Sequence, residues 1–360
     1  MINHIRFYGA RLMVKQFLIK LLPFKVEQIA RYVLSLFRYM PHYLYDMHRF
    51  AKYSINKISP YHNQTQLIAR ITTLYHVLEK GLTMPEPRLG FGLSRVSALI
   101  ALLEMYKNMG FSVQNTQYKA GLTSLENYIN FHKGTEIDTE FIAIFLVKSN
   151  QCNLSNSSFF QIEANDFHSK VKGSFLDLVD IRHSLRDFKE ASVPMVDIVE
   201  AISIAQKSPS TCNRQSARVY TFSKKNKIQK LLTLQGGARG FQHKIDKLII
   251  LTFDIEAYQG EGDRMSGYID ASLFGMTLLY ALTQKGIGSI SLNWSKSKEI
   301  DIQLRTLSNI KKSHNIVFFI GVGMIKDKTK VAASARLDID EVIVAHNDEN
   351  FKMAINSLKS

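Results

Sequence analysis

Apolar residues recur every three to four positions from the start of the chain to about Lys148, with few strand-like alternations, so this part reads as helical. Within it, YHVLEKGLTMPEPRLGFG, Tyr75 to Gly92, breaks the pattern. Lys80-Gly81 reads as a helix C-terminus, two prolines and two glycines make a loop, and Ser94 is a candidate N-cap for the helix that follows. Glu79, Lys80 and Arg88 stand beside that loop, where an interhelical connection is the expected role. The run SNQCNLSNSS, 149–158, has no hydrophobic period and reads as a linker.

Past the linker, helices are expected over Asp166 to Asp180 and over Val196 to Ser208, the second between Pro194 and Pro209. Strands are expected over Val219 to Ser223, Leu248 to Phe253, Ile287 to Leu292 and Asn315 to Gly321, the last opening a βαβ-like stretch. Ile269 to Gln284 is a helix apolar on nearly all sides, which must be buried in a core or in a subunit interface. The expected organisation is a helical basic domain over 1–148, a linker over 149–165, an α+β domain over 166–345 and a tail over 346–360. Gly90-Phe-Gly92 and Gly321-Val-Gly323 are lone G-x-G pairs without a third glycine in register, so neither reads as a dinucleotide fingerprint.

Composition narrows the classes. At 360 residues, 46% hydrophobic and 21% charged, the chain is globular and long enough for two cores. Two cysteines, Cys152 and Cys212, give no disulfide framework, so a cytoplasmic compartment is the expectation; C-x-x-C and H-E-x-x-H are absent, which leaves zinc without support. No charge-free apolar run spans a bilayer, and Leu12 to Leu22, interrupted by Lys15 and Lys20, does not read as a signal peptide. The net charge of +15 is concentrated: residues 1–60 hold ten Lys/Arg against Glu27 and Asp46, interleaved with aromatics. That mixture fits a packed helical domain with a solvated basic face, or peripheral contact with an anionic membrane surface; no nucleic-acid partner is expected.

The candidate chemistry lies in two short stretches. IRHSLRDF, Ile181 to Phe188, places Arg182, Ser184 and Arg186 at alternating positions, an anion-receiving set. By the same alternation His183 faces away from them. SPSTCNRQ, Ser208 to Gln215, supplies neutral donors and acceptors in a turn, suited to the polar edge of a flat heterocycle. Cys212 in that turn reads as a packed thiol, and Asp270 as a helix cap.

The order of these and later motifs adds a resemblance. R-H-S-x-R-D-F, then P-S-x-x-N-x-Q, then Arg264 with Tyr268 to Ala271, then GIGSISLNW, then SARLDIDE resemble, over about residues 166 to 345, the nitroreductase family of FMN-dependent oxidoreductases. The helical N-terminal part resembles an extension found in a subgroup associated with bacterial polysaccharide biosynthesis clusters. The resemblance implies a nitroreductase-like fold, dimeric, with a central mixed sheet flanked by helices, preceded by an all-α domain. It implies that Arg182, Ser184 and Arg186, with the backbone of His183 and with Arg336, hold the FMN phosphate and ribityl chain. Pro209, Ser210, Thr211, Asn213 and Gln215 would meet the isoalloxazine ring from the second subunit. Ser291 and Leu292 would lie against a ring face, Asn293 and Trp294 near its N5 edge, and Arg239 near N1; Trp294 is open between core packing and a lid over the flavin. It also implies a flavin-borne reaction with no catalytic side chain or metal, in which NAD(P)H donates a hydride and a small-molecule acceptor removes it. Two alternatives remain: a dehalogenase or flavin-fragmenting relative, or a degenerate flavin-binding module that anchors a basic domain at a membrane-associated assembly. One departure is local: Ser216-Ala217 follows Gln215 where relatives have Pro-Trp.

Overall fold

A computed structural model describes residues 23–53, 63–149, 157–258, 261–343, 353, 354 and 357. The Leu12 to Leu22 stretch, residues 150–156 of the polar run, and most of the tail from 346 lie outside the described residues. The chain divides into two compact units, one of residues 1–60 with 258–265, the other of 61–257 with 266–360.

The first unit contains helix α1, Phe24–Tyr53. At 100° per residue, Ile29, Val33, Leu36, Phe37, Met40 and Met47 fall on one face, and Glu27, Arg31 and Arg38 on the opposite one. Arg31 and Glu27 pair across one turn at 2.7 Å. Those six apolar side chains are exposed, so the stripe is amphipathic but not packed away.

The second unit holds four more helices: α2 (Gln64–Leu82), α3 (Leu93–Asn108), α4 (Thr116–His132) and α5 (Glu140–Lys148). Asn63 caps α2 by accepting from the Gln66 amide, and Asn115 caps α4 by accepting from Gln117 and Tyr118. Their apolar faces meet in one core around Ile71, Leu78, Leu103, Tyr106, Leu122 and Tyr128. The N-cap of α3 is Gly92, with φ +68°, and Ser94 lies inside the first turn; a left-handed residue there leaves the cap to backbone geometry, which is why the serine is misleading.

The same unit continues into the sheet segment. The region expected to be linker up to 165 carries strand β1 (Phe159–Glu163). Then follow α6 (Ala164–Lys170), α7 (Phe175–Ile181), α8 (Met195–Ala205), β2 (Ala217–Phe222), α9 (Lys225–Gln235) and β3 (Lys247–Asp254). After these come α10 (Ser266–Gln284), β4 (Ile287–Asn293), α11 (Lys298–Ser308), β5 (His314–Met324), β6 (Lys328–Ala332) and α12 (Ile339–Val342). The helix expected over 166–180 is two helices, because Ser174 and Asp177 form a capping box that restarts the chain after Gly173.

The main sheet runs β2-β3-β5-β4, antiparallel throughout, and β6 pairs antiparallel with β1, so the final stretch is not a βαβ unit. Among the described residues the one parallel pairing is a bridge between Ser184 and Ser289. β3 is buried at every position, as its unbroken apolar run requires. Helix α10 packs one side on the sheet but leaves Ile269, Leu273 and Met276 exposed in the single chain. The α+β class expected for this part, after an all-helical stretch, is what the chain adopts.

Candidate functional site

The stretch from Arg182 to Phe188 is laid down on the sheet by backbone. After α7 ends, the Leu185 amide donates to the Ser289 carbonyl of β4 at 2.9 Å, and the Lys189 amide to the Met324 carbonyl of β5 at 2.8 Å. Leu185 and Phe188 are buried, and Gly288 and Gly323 make room for them. A Cβ on Gly288 would stand 2.7 Å from Leu185, and one on Gly323 2.6 Å from Phe188. Gly288 and Gly323 are therefore seats for this motif.

Two groups of cations result. In the first, burial holds the Arg182 guanidinium below its ordinary value, Tyr280 opposes this, and Arg336 lowers it further. His183, between them in sequence, packs its ring edge on Phe160 at 4.9 Å and is held below the usual imidazole range by burial and then by Arg182. In the second group, Arg186 is buried and its guanidinium donates to the Ser184 carbonyl at 3.3 Å. Burial pushes its pKa down to about 10, with the Glu79 carboxylate opposing. Lys80 is also lowered, first by burial and then by Arg186, with Glu79 opposing. Among the described residues none of Lys80, Arg182, Arg186 and Arg336 forms a salt bridge, and Glu79 is paired with His76 at 2.9 Å.

The helical segment reaches this site at two further points. Gln117, almost fully buried, accepts from Thr72 at 3.1 Å and from the Tyr75 hydroxyl, and donates to the Ala335 carbonyl at 3.2 Å, next to Arg336. Asn115 and Thr116 bond Glu341 and Asp338 at 3.0 and 2.9 Å, so the start of α4 grips the SARLDIDE segment. Tyr75, buried beside Glu79, has its pKa raised to about 12 by burial and by that carboxylate, with Thr72 and Arg336 opposing. A cavity of about 620 Å³ opens between the 80–92 loop and the 237–241 loop; Lys80, Arg88, Arg186 and Arg239 line it. Gln235 sets the second loop, donating to the Asn293 carbonyl at 2.8 Å and accepting from the Gly237 amide at 2.6 Å.

The other sequence candidates lie apart from these cations. Pro209, Ser210 and Gln215 line a separate cavity of about 560 Å³ with Asp270 and Phe274. The turn itself is strained: Cys212, Asn213 and Gln215 all have φ near +50°, a region that non-glycine residues seldom occupy. It is held by Asp270, whose carboxylate accepts from both the amide and hydroxyl of Thr211 at 2.9 Å, and by Ser210, which accepts from the Gln215 amide at 3.0 Å. Asp270 is thus a buried anchor for this turn and not a helix cap, since α10 begins four residues earlier. Cys212 is exposed, not packed, because its left-handed backbone turns the side chain outward.

On β4, strand alternation exposes Ser291 and Asn293 and buries Leu292 in the core, so the side chains of Ser291 and Leu292 face opposite sides. Trp294 stacks on Phe319 at 5.2 Å with an interplanar angle of 9° and donates to Asp301 at 3.0 Å, which fixes it on the core. The residues sequence reasoning missed are Gln117, Tyr75 and Gln235; Glu79, Lys80 and Arg88 were visible beside the loop but read as a connection. Nothing in the local pattern of α4 marks Gln117, because its partner lies 218 residues away.

Residues 179–238, which contain Arg182, Ser184, Arg186 and the Pro209–Gln215 turn, match the model of the Nitroreductase family. No curated protein matches the chain. Among solved structures, it is similar to a nitroreductase family protein from Streptococcus pneumoniae TIGR4 at 22% identity and TM-score 0.43, over 48% of this chain and 100% of that one. A nitroreductase-like protein from Streptococcus mutans aligns at 19% identity and TM-score 0.42, over 48% and 98%. A candidate NAD(P)H:FMN oxidoreductase from Staphylococcus epidermidis aligns at 19% and 0.43, over 48% and 96%. Among the described residues no group of three or more His, Cys, Asp or Glu is placed to hold a metal, and no helix is long and apolar enough to cross a membrane.

Proposed function

We propose that this chain is an FMN-dependent oxidoreductase of the nitroreductase type, working as a homodimer and passing a hydride from NAD(P)H to a small-molecule acceptor. The observation that carries the reading is the donor set: Arg182 and Arg336 act on one another, Arg186 lies buried four positions after Arg182, and none of the three forms a salt bridge among the described residues. Arg182, lowered by burial and by Arg336, is stabilised by a dianion, and a phosphate monoester meets that need with charge-assisted bonds. The family match over 179–238 supports the same cofactor.

Bound flavin supplies hydride exchange, so the protein's task is placement and electrostatics. Arg182 and Arg336 would hold the phosphate, with Ser184 at the adjoining chain. Arg186 and Arg239 would place positive charge at the ring edge, where it favours the reduced, anionic cofactor. The strained turn at Pro209–Gln215 offers backbone groups to a ring, but it lines a different cavity of the same chain. A second copy would reconcile the two. Exposed Ile269, Leu273 and Met276 on α10, with Val196 and Val199 on α8, provide an apolar face for it.

The test is spectroscopic. Purified protein should show the flavin band at about 450 nm, bleached anaerobically by NADH or NADPH. Protein that is colourless and takes up no added FMN would overturn the reading.

A second reading concerns α1. Its exposed apolar face, a polar face with Arg31 and Arg38, and the excess of cations in residues 1–60 have the features of a helix lying in an anionic bilayer surface. That would make the enzyme membrane-peripheral on the cytoplasmic side. Flotation with vesicles of neutral and anionic lipid tests it: binding only to the anionic ones is expected, and equal recovery without vesicles would overturn it.

A further inference from the structure

More than half of the lining of the cavity at Arg186 comes from the helical segment. The loop after α2 is held rigidly. His132 accepts from the Gly90 amide at 2.9 Å, and Tyr128 donates to the Phe91 carbonyl at 2.8 Å. Gly81 lets the Phe91 ring close over the end of α2, since a Cβ there would stand 2.0 Å from it. Met84 crosses to the sheet core and passes close to Gly240 of the facing loop. The chamber is therefore walled before any ligand arrives.

Its lining combines two chemistries. Lys80 and Arg88 from the helical side face Arg186 and Arg239 from the sheet side, with Glu86 the one acidic residue on the wall. Val77, Met84, Phe91 and Phe241 supply apolar surface. At about 620 Å³ the space suits a small molecule with an apolar body and an anionic end. Neither Arg182 nor Arg336 lines it.

We propose that this chamber is the acceptor site and that it selects an acceptor carrying a carboxylate or phosphate group, recognised by Lys80 and Arg88 of the helical segment. This rests on the flavin reading for the direction of electron flow, but the anion site itself does not. Four cations around one cavity repel each other until an anion enters, so selectivity follows from charge as well as shape. Burial and Arg186 both lower the Lys80 pKa, with Glu79 opposing, which accords with a partly buried lysine beside a second cation.

The test uses the full-length protein with the substitutions Lys80→Met and Arg88→Gln, together and singly. Calorimetric titration with inorganic pyrophosphate and, separately, with citrate reads the anion site directly, and the tighter of the two names the group. The double variant should bind the better anion at least about tenfold more weakly, the effect of removing charge-assisted bonds, while keeping its FMN content. With reduced enzyme, each flavin delivers two electrons, to two ferricyanide anions or to one neutral benzoquinone with two protons. The ratio of kcat/KM for ferricyanide over benzoquinone should fall by about tenfold as well. Unchanged anion binding, an unchanged ratio, or loss of FMN from the double variant would overturn the proposal. Arg88→Gln alone, at an exposed position on the chamber wall, keeps the test decisive if Lys80→Met does not fold. If the wild-type protein takes no flavin, the titration still decides the anion site while the flavin reading fails.

Discussion

The sheet segment and the helical segment over 64–148 each bury a core of their own, but they reach the site by different means. The sheet segment presents Arg182, Ser184 and Arg186 from a single extended stretch, fixed by backbone bonds to β4 and β5 and seated on Gly288 and Gly323. The helical segment contributes scattered side chains: Lys80 at one helix end, Gln117 in the first turn of another, Tyr75 five residues before Lys80 on α2. A site element carried on contiguous backbone leaves a motif in the sequence, whereas one assembled from helix faces leaves single residues without a local pattern. The difference also separates the proposed tasks, cofactor binding on the sheet side and acceptor choice on the helical side.

A matched pair of glycine substitutions tests that division with the largest effects. Gly323→Ala drives a Cβ into Phe188, next to Arg186, and Gly81→Ala drives one into Phe91. Each should cost about 1–3 kcal/mol in chemical denaturation, as overpacking does. The first should also release FMN, and the second should spare FMN while weakening anion binding in the chamber. If both variants lose FMN equally, the two segments do not have separate roles.

Gln117→Leu probes the buried link between them. It removes the amide that joins Tyr75 to the Ala335 carbonyl, so Arg336 loses its fixed neighbour. A buried polar group left unpaired costs about 1–3 kcal/mol. FMN affinity should drop by severalfold, read by fluorescence titration, with the helical content by circular dichroism unchanged. An unaltered affinity would show that Arg336 is placed by the sheet segment alone.

The smallest effect is expected from pH. Burial and Arg182 keep the folded His183 below the usual value of 6.5, so the unfolded chain takes up a proton first as pH falls. Stability is full above that value and declines as pH drops below it toward the folded pKa. His183→Asn should flatten the change in denaturation midpoint between neutral and mildly acidic buffer. A midpoint that falls as steeply in the variant would assign the acid sensitivity elsewhere.

Much of the sheet segment was legible because its signals are local. The unbroken apolar run of β3 marks structure within a few residues. The split of the first helix was hidden in Gly173-Ser174, where a capping box overrides the apolar period. Asp270 looked like a cap because only its own helix was in view; its partner, Thr211, lies 59 residues away. Trp294, open between core packing and a flavin lid from sequence, stacks on Phe319, and the pleat sets the Leu292 side chain on the core. The role of Lys80 was the least readable, since it depends on how two segments with separate cores meet.

The central claim is that Arg182 and its neighbours hold a flavin phosphate. Titration of FMN into the flavin-free protein, followed by quenching of flavin fluorescence, tests it most directly in wild type and in Arg182→Ala. Saturable binding of one FMN per chain is expected, weakened by about 10- to 100-fold in the variant, the worth of the charge-assisted bonds removed. Wild-type protein that does not quench, or a variant that binds FMN as tightly as wild type, would contradict it.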